Sequence, residues 1–190
     1  NVWRPNTTAR DLPVMFYIHG GSFLNGASSQ PMISGDRLAK RGVVVVSINY
    51  RMGWLGIFGH PALTREAADG GRLANYGLMD QVAALRWAQR NIRAFGGDPQ
   101  RVTIFGESAG AASVLALLVT PDARGLFAGA ISESGYWRGP WARLSQTAPN
   151  GRKSAEASGV EALAAIGVQA NDVATLRALQ LGARICACDM

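Results

Sequence analysis

No apolar run in this chain approaches the roughly 20 residues that a membrane-spanning helix needs, so nothing in it reads as a membrane span. Cysteine is almost absent. The only two, Cys186 and Cys188, stand two positions apart, too close for an easy mutual disulfide. His19 and His60 are the only histidines, so no Cys/His cluster suggests a metal, and no cofactor is implied. Lysine is limited to Lys40 and Lys153. The net charge of +6 therefore comes from 17 arginines, which are scattered from Arg4 to Arg184 rather than gathered on one element. Such scatter reads as surface charge, and no nucleic-acid partner follows from it. There is no internal repeat and no low-complexity linker. There is also no initiating methionine or signal peptide, which leaves the compartment open.

What the chain does have is glycine, 23 residues of it, and in two places the glycines are patterned. Gly106-Glu107-Ser108-Ala109-Gly110 follows an apolar strand-like run, Arg101 to Phe105, and precedes a helix-like run, Ala111 to Val119. Gly-x-Ser-x-Gly between a strand and a helix is the pattern of a nucleophile elbow. The turn is so sharp that the serine takes a strained backbone and holds its hydroxyl clear of the sheet. The flanking glycines leave room for the neighbouring strand and helix. Composition alone yields roughly 0.2 such matches by chance, so the strand-turn-helix context carries the reading. Ser108 is the candidate nucleophile, and the reaction class is acyl transfer.

The second pattern follows another buried strand, Val14 to Ile18, which runs into His19-Gly20-Gly21-Ser22. A His-Gly-Gly loop here suits an oxyanion hole, in which backbone N–H groups point at a developing negative charge. Small residues let the carbonyl oxygen approach the backbone. Ala109, the residue after the nucleophile, supplies a further N–H at the start of its helix. Either motif alone could be an ordinary turn. Two of them, each after a strand and in this order, are hard to explain as coincidence.

With these motifs in place, the chain resembles the type-B carboxylesterases, the family that includes the cholinesterases. The resemblance is carried by Tyr17 to Gly26 (YIHGGSFLNG), Val44 to Gly59 (VVVSINYRMGWLGIFG), Asn75 to Gly110 and Ile131-Ser132-Glu133-Ser134-Gly135. It is firm from Asn1 to about Gly135 and fades afterwards. The resemblance implies an α/β-hydrolase fold, a small-molecule ester substrate and hydrolysis through an acyl-enzyme on Ser108. It implies oxyanion donors at the N–H groups of Gly21, Ser22 and Ala109, with Gly20 shaping the loop. Ser22 stands where the family often has glycine or alanine. Glu107 reads either as an acid favoured near a helix N-terminus or as a group beside the active site. Ser134 reads either as a strand-end hydroxyl or as a supporting hydrogen-bonding group.

Periodicity agrees with an α/β architecture. Val43 to Ile48 is a β-branched run suited to a strand covered on both faces. Leu78, Val82, Leu85, Ala88 and Ile92 recur at helical spacing, and Gly96-Gly97-Asp98-Pro99 ends that helix before the elbow strand. Gly129 to Glu133 is expected to be a further strand and Asp172 to Leu179 a helix. Asp80 reads as a first-turn acid of its helix. Strands alternating with helices indicate a mainly parallel sheet with flanking helices.

A serine nucleophile needs a base and an acid that orients it. In this fold they follow in the order Ser, acid, His, yet no histidine follows Ser108 in these 190 residues. His60, between Gly59 and Pro61, reads as a loop residue, solvated or structural. His19 reads as a shaper of the oxyanion loop. The C-terminal strands carrying acid and histidine are therefore expected to be missing, leaving an incomplete fold with weak or no activity and an aggregation-prone sheet edge after Ile131. Residues 1–180 are expected to form a partial domain, and residues 181–190 an atypical tail, as after a frameshift or truncation near Gln180. Asn1-Val2-Trp3 resembles a strand interior, so a clipped start is expected. Trp137 and Trp141 suit either a substrate wall or plain core packing. A non-catalytic interaction module and an inactive remnant are the competing classes. The retained Ser108 argues against the first.

Overall fold

The computed structural model describes residues 1–67, 73–136 and 141–179. In chain order the regular elements are β1 (Val2–Trp3), β2 (Leu12–Ile18), α1 (Asp36–Ala39), β3 (Val44–Ile48), α2 (Gly53–Ile57), α3 (Pro61–Glu66) and α4 (Tyr76–Asn91). They continue with β4 (Gly97–Glu107), α5 (Ala109–Val119), β5 (Gly129–Glu133), α6 (Ala155–Ala165) and α7 (Val173–Ala178). They fall into two compact units, Asn1–Met52 with Gly77–Arg138, and Gly53–Tyr76 with Gly139–Met190.

The first unit holds a five-stranded sheet in the order β1-β3-β2-β4-β5. β2 pairs in parallel with β3 and β4, and β4 pairs in parallel with β5. Only β1 runs antiparallel, with Val2 opposite Val46. The fold is thus the mainly parallel α/β sheet expected. β3 begins one residue later than the valine run and β4 begins at Gly97, so the Gly-Gly-Asp-Pro segment belongs partly to the strand.

Alternation explains the core. Val14, Phe16 and Ile18 of β2 share one face with Val102 and Ile104 of β4 and with Val44 and Val46 of β3. The spacing that predicts α4 is the spacing that buries it. Each fully covered side chain of this size contributes about 1.5–3 kcal/mol. α4 ends in a single turn of 3-10 helix, Ile92–Phe95, closed by Gly96 at φ 84°. α5 carries no charge and is buried on nearly every side, as expected of an apolar helix wedged against β4 and β5. β5 lies at the sheet edge, and Ile131 is largely exposed.

Asp80 is not a first-turn acid. It is the fifth residue of α4, and its carboxylate accepts from Arg51 Nε (2.8 Å), Arg51 Nη2 (2.7 Å) and the Arg51 backbone N–H (2.9 Å). These bonds to Arg51 hold its carboxyl below the usual carboxylate range, against the opposing effect of partial burial.

In the second unit His60 is neither solvated nor in a plain loop. It is the N-cap of α3, is buried, and its Nδ1 accepts from the Ala62 N–H at 3.1 Å, with Pro61 at the first helical position. Burial, then the nearby Arg65 charge, lower its pKa from the ordinary 6.5, while Glu156 pulls the other way. α3 is tied to α7 by the two-pronged Glu66–Arg177 pair, 2.9 and 2.8 Å, and to α6 by Thr64 bonding Glu156. Ser154 caps α6 and Asp172 caps α7, so the C-terminal helix is one residue shorter at each end than the sequence suggests. Among the described residues no helix is long and apolar enough to cross a membrane. Cys186, Cys188, Trp137 and the tail 181–190 lie outside the described residues.

Candidate active site

The C-terminal ends of β2, β4 and β5 meet at one edge of the sheet in the first unit, where open parallel sheets bind ligands. β4 ends at Glu107, and Ser108 follows at φ 55°, ψ −119°. That backbone lies in a sparsely populated region for a residue with a side chain, so the turn is strained. Ser108 occupies the N-cap position of α5, yet its hydroxyl makes no capping bond to its own helix. The elbow is held by its surroundings instead. The Ser108 N–H donates to the Glu133 carbonyl at 3.0 Å, and its carbonyl accepts from Ala112 N–H at 2.9 Å.

The two elbow glycines are required by close approach. A Cβ on Gly106 would stand 2.6 Å from the Gly110 carbonyl carbon and 2.7 Å from the Ile18 carbonyl oxygen. A Cβ on Gly110 would overlap that same oxygen. α5 therefore starts directly against the end of β2. This brings the glycine loop to the serine: a Cβ on Gly20 would meet the Glu107 carbonyl at 2.7 Å and Ser108 Cβ at 3.3 Å.

The loop itself turns left-handed, with Gly21, Ser22 and Phe23 at φ 105°, 57° and 62°. The Gly21 carbonyl accepts from Leu24 (2.9 Å) and Asn25 (3.1 Å), and Phe23 packs against the core. Ser22 is exposed, Gly21 and Ser108 are half-buried, and Ala109 is buried. As the first residue of α5, Ala109 carries one of the N–H groups that a helix leaves without an internal partner.

Glu107 and Glu133 are register partners on β4 and β5. Tyr17 shares their face and stacks at a tilt on Phe105, 4.9 Å between centroids. Burial, then the charges of Glu107 and Glu133, raise the Tyr17 phenol above its ordinary value. Ser134 stands exposed at φ 54° just past β5, and Gly135 packs on Ala111 at the start of α5. Trp141 is half-exposed and belongs to the second unit, so a plain core role does not describe it. No cluster of metal-ligating side chains occurs among the described residues.

Reading the sequence missed three contributors. Tyr50 is buried, stacks on His19 with centroids 4.6 Å apart, and donates its hydroxyl to the His19 carbonyl at 2.7 Å. Burial pushes this phenol up to about 12, keeping it a donor. Gly26, at φ 121°, lies against the His19 ring. Gln81 donates to Ser113 Oγ at 3.0 Å within the core, linking α4 to α5. The signal for Tyr50 and Gly26 was their place inside the stretches YIHGGSFLNG and VVVSINYRMGWLGIFG.

Comparison with known proteins agrees with this fold. The chain is 53% identical over 139 residues to a para-nitrobenzyl esterase of Bacillus subtilis, covering 73% of this chain and 27% of that protein. It is 47% identical over 152 residues to the fumonisin B1 esterase of Sphingopyxis macrogoltabida, covering 80% of this chain and 28% of that protein. A mouse cholinesterase is 50% identical over 143 residues. The chain thus spans about a quarter of these relatives' length. Among solved structures, a carboxylesterase of Geobacillus stearothermophilus superposes with a TM-score of 0.79 at 41% identity, over 94% of this chain and 35% of that one. Its neighbours have the α/β-hydrolase fold, of which this chain holds a part. Residues 1–180 match the carboxylesterase family, and the chain belongs to that family.

Proposed function

We propose that this chain carries the nucleophile and oxyanion hole of a serine carboxylic-ester hydrolase acting on small-molecule esters. The observation that supports it most is the strained Ser108, with its hydroxyl unused in capping and the Gly20–Ser22 backbone loop against it. Ser108 Oγ attacks the ester carbonyl carbon and its proton passes to a base. The carbonyl electrons move onto oxygen, where the N–H groups of Gly21, Ser22 and Ala109 receive the charge, while Gly20 lets the loop approach. Collapse of this intermediate expels the alcohol, and water then releases the acyl group from Ser108. Glu107 and Ser134 serve as supporting groups at the strand ends.

Neither histidine suits the base. His19 Nδ1 bonds the Gly20 carbonyl and its Nε2 is buried, while His60 Nδ1 caps α3. By family resemblance the acid and histidine follow Ser108, and no histidine does so in these 190 residues. Residues 1–180 are read as part of one hydrolase domain and 181–190 as an atypical tail. Taken alone, the chain is expected to turn over weakly or not at all. Loss of a triad member costs about a million-fold, leaving roughly 10³–10⁴ over water from the remaining site.

The test is hydrolysis of a short-chain nitrophenyl ester together with covalent labelling by a fluorophosphonate, each compared with Ser108→Ala. Labelling at Ser108 and turnover lost in the variant support the hydrolase. Equal behaviour of the two proteins in both assays overturns it.

A further inference from the structure

The carbonyl groups of His19 and Gly20 are each held by an aromatic side chain, and the two side chains are stacked on one another. Tyr50 donates its hydroxyl to the His19 carbonyl at 2.7 Å. His19 Nδ1 stands 2.8 Å from the Gly20 carbonyl, so Nδ1 carries the hydrogen and donates it. The rings lie 4.6 Å apart at 20°. A peptide unit is planar and trans, so fixing its carbonyl oxygen fixes the direction of its N–H. The Gly20 carbonyl shares its peptide unit with the Gly21 N–H. The His19 carbonyl shares its own with the Gly20 N–H.

Gly26 makes this arrangement possible. A Cβ there would sit 2.5 Å from His19 Nδ1 and 2.7 Å from the Gly20 carbonyl oxygen, on top of the bond between them. Both side chains are deeply buried, His19 at 2% and Tyr50 at 5% exposure, so water does not compete for these carbonyls.

We propose that Tyr50 and His19 are positioning residues that aim the Gly21 N–H at the oxyanion, with Gly26 reserving the space for their bond. This rests on the esterase reading for its catalytic consequence, but the aiming itself is a property of the fold. The lever works through two successive peptide planes. Removing either hydrogen bond frees a plane to rotate, and the donor then meets the transition state at a poor angle while ground-state binding is little changed. A lost oxyanion donor lowers kcat by about 100- to 1,000-fold, so a misaimed one is expected to lower it by about 10- to 100-fold.

The experiment compares Tyr50→Phe, His19→Leu, His19→Asn and Gly26→Ala with the parent protein. Tyr50→Phe keeps the ring and the fold and removes one hydroxyl. His19→Asn keeps an amide donor near the Nδ1 position. Two quantities are read: kcat and KM for a nitrophenyl ester, and the residual dipolar coupling of the Gly21 amide in glycine-labelled protein, which reports the direction of that N–H bond. Tyr50→Phe, His19→Leu and Gly26→Ala are expected to lower kcat with KM within about threefold and to shift the Gly21 coupling. His19→Asn is expected to recover most of what His19→Leu loses. An unmoved Gly21 coupling in folded Tyr50→Phe and His19→Leu overturns the proposal, whatever the rates do. Should the parent neither turn over ester nor take a fluorophosphonate label at Ser108, the esterase reading fails, and the coupling still decides the aiming.

Discussion

Gly110 lies against the carbonyl oxygen of Ile18 so closely that a methyl group built on it would overlap that oxygen. The contact joins the first turn of α5 to the end of β2. It therefore sets the distance between Ser108 and the loop that faces it. Gly110→Ala forces the helix away from the strand and is expected to destabilise the protein by about 3 kcal/mol. A urea titration reads this as a lowered midpoint. A midpoint equal to that of the parent would show that α5 can shift without cost.

Ser108 stores strain at φ 55°, ψ −119°. Ser108→Gly removes the Cβ that makes this backbone costly and is expected to stabilise the fold by about 1–2 kcal/mol. The same change removes the proposed nucleophile, with an expected loss of about a million-fold in kcat in a protein carrying the complete triad. Ser108→Ala is expected to lose the activity without gaining the stability. Thermal melts of the two variants side by side separate strain from chemistry.

What the sequence disclosed and what it concealed divide along one line. β2, β3, β5 and the two glycine motifs were legible because each depends on neighbours within a few residues: a run of branched side chains, or a glycine wherever backbone packs on backbone. Asp80 was misread because its partner Arg51 is 29 positions away, and nothing local distinguishes a paired acid from a first-turn acid. Of the two readings of His60 the structural one holds, but its form was hidden: a histidine before proline advertises a loop, while its ring nitrogen serves as the acceptor that serine or aspartate more often supplies. The Tyr50 hydroxyl finds a carbonyl 31 residues upstream, a pairing that only the parallel contact of β2 and β3 creates.

Asp80 gives a prediction in acid. Its carboxyl is held below the ordinary 3.8 by its bonds to Arg51, so the unfolded chain binds the proton more readily. The stability from this pair is fully present above about pH 4 and is lost as pH falls through the lower folded value. Arg51 is half-exposed, and solvent screening limits the effect to about 1 kcal/mol. In Asp80→Asn the melting temperature is expected to change less between pH 4 and 2 than in the parent. Parallel curves for the two proteins would contradict the pairing.

His60 acts at higher pH. Its folded value lies below 6.5, first because of burial and then because of Arg65, so the unfolded chain takes up the proton first. Stability is complete above about pH 6.5 and declines as pH falls from there to the folded value, after which the decline stops. Protonation also removes the Nδ1 lone pair that caps α3. His60→Asn retains a cap acceptor and does not titrate, so it is expected to flatten this slope. Chemical denaturation followed at half-unit steps from pH 7.5 to 5 checks it, and an unchanged slope would reject it.

Ile18 and Gly106 are neighbours in the central strand pair although almost 90 positions separate them along the chain. Parallel strands cannot be joined by a tight turn, and the entropy of closing so long a loop is lost before any contact compensates for it. Folding that depends on such a pairing is slow compared with helix formation. α4 and α5 can form early, but the glycine loop and Ser108 face each other only when β2 and β4 zip. The meeting of Ser108 with the glycine loop is therefore a late kinetic event, and a chain still emerging from the ribosome carries its Gly-x-Ser-x-Gly sequence without the loop that will face it.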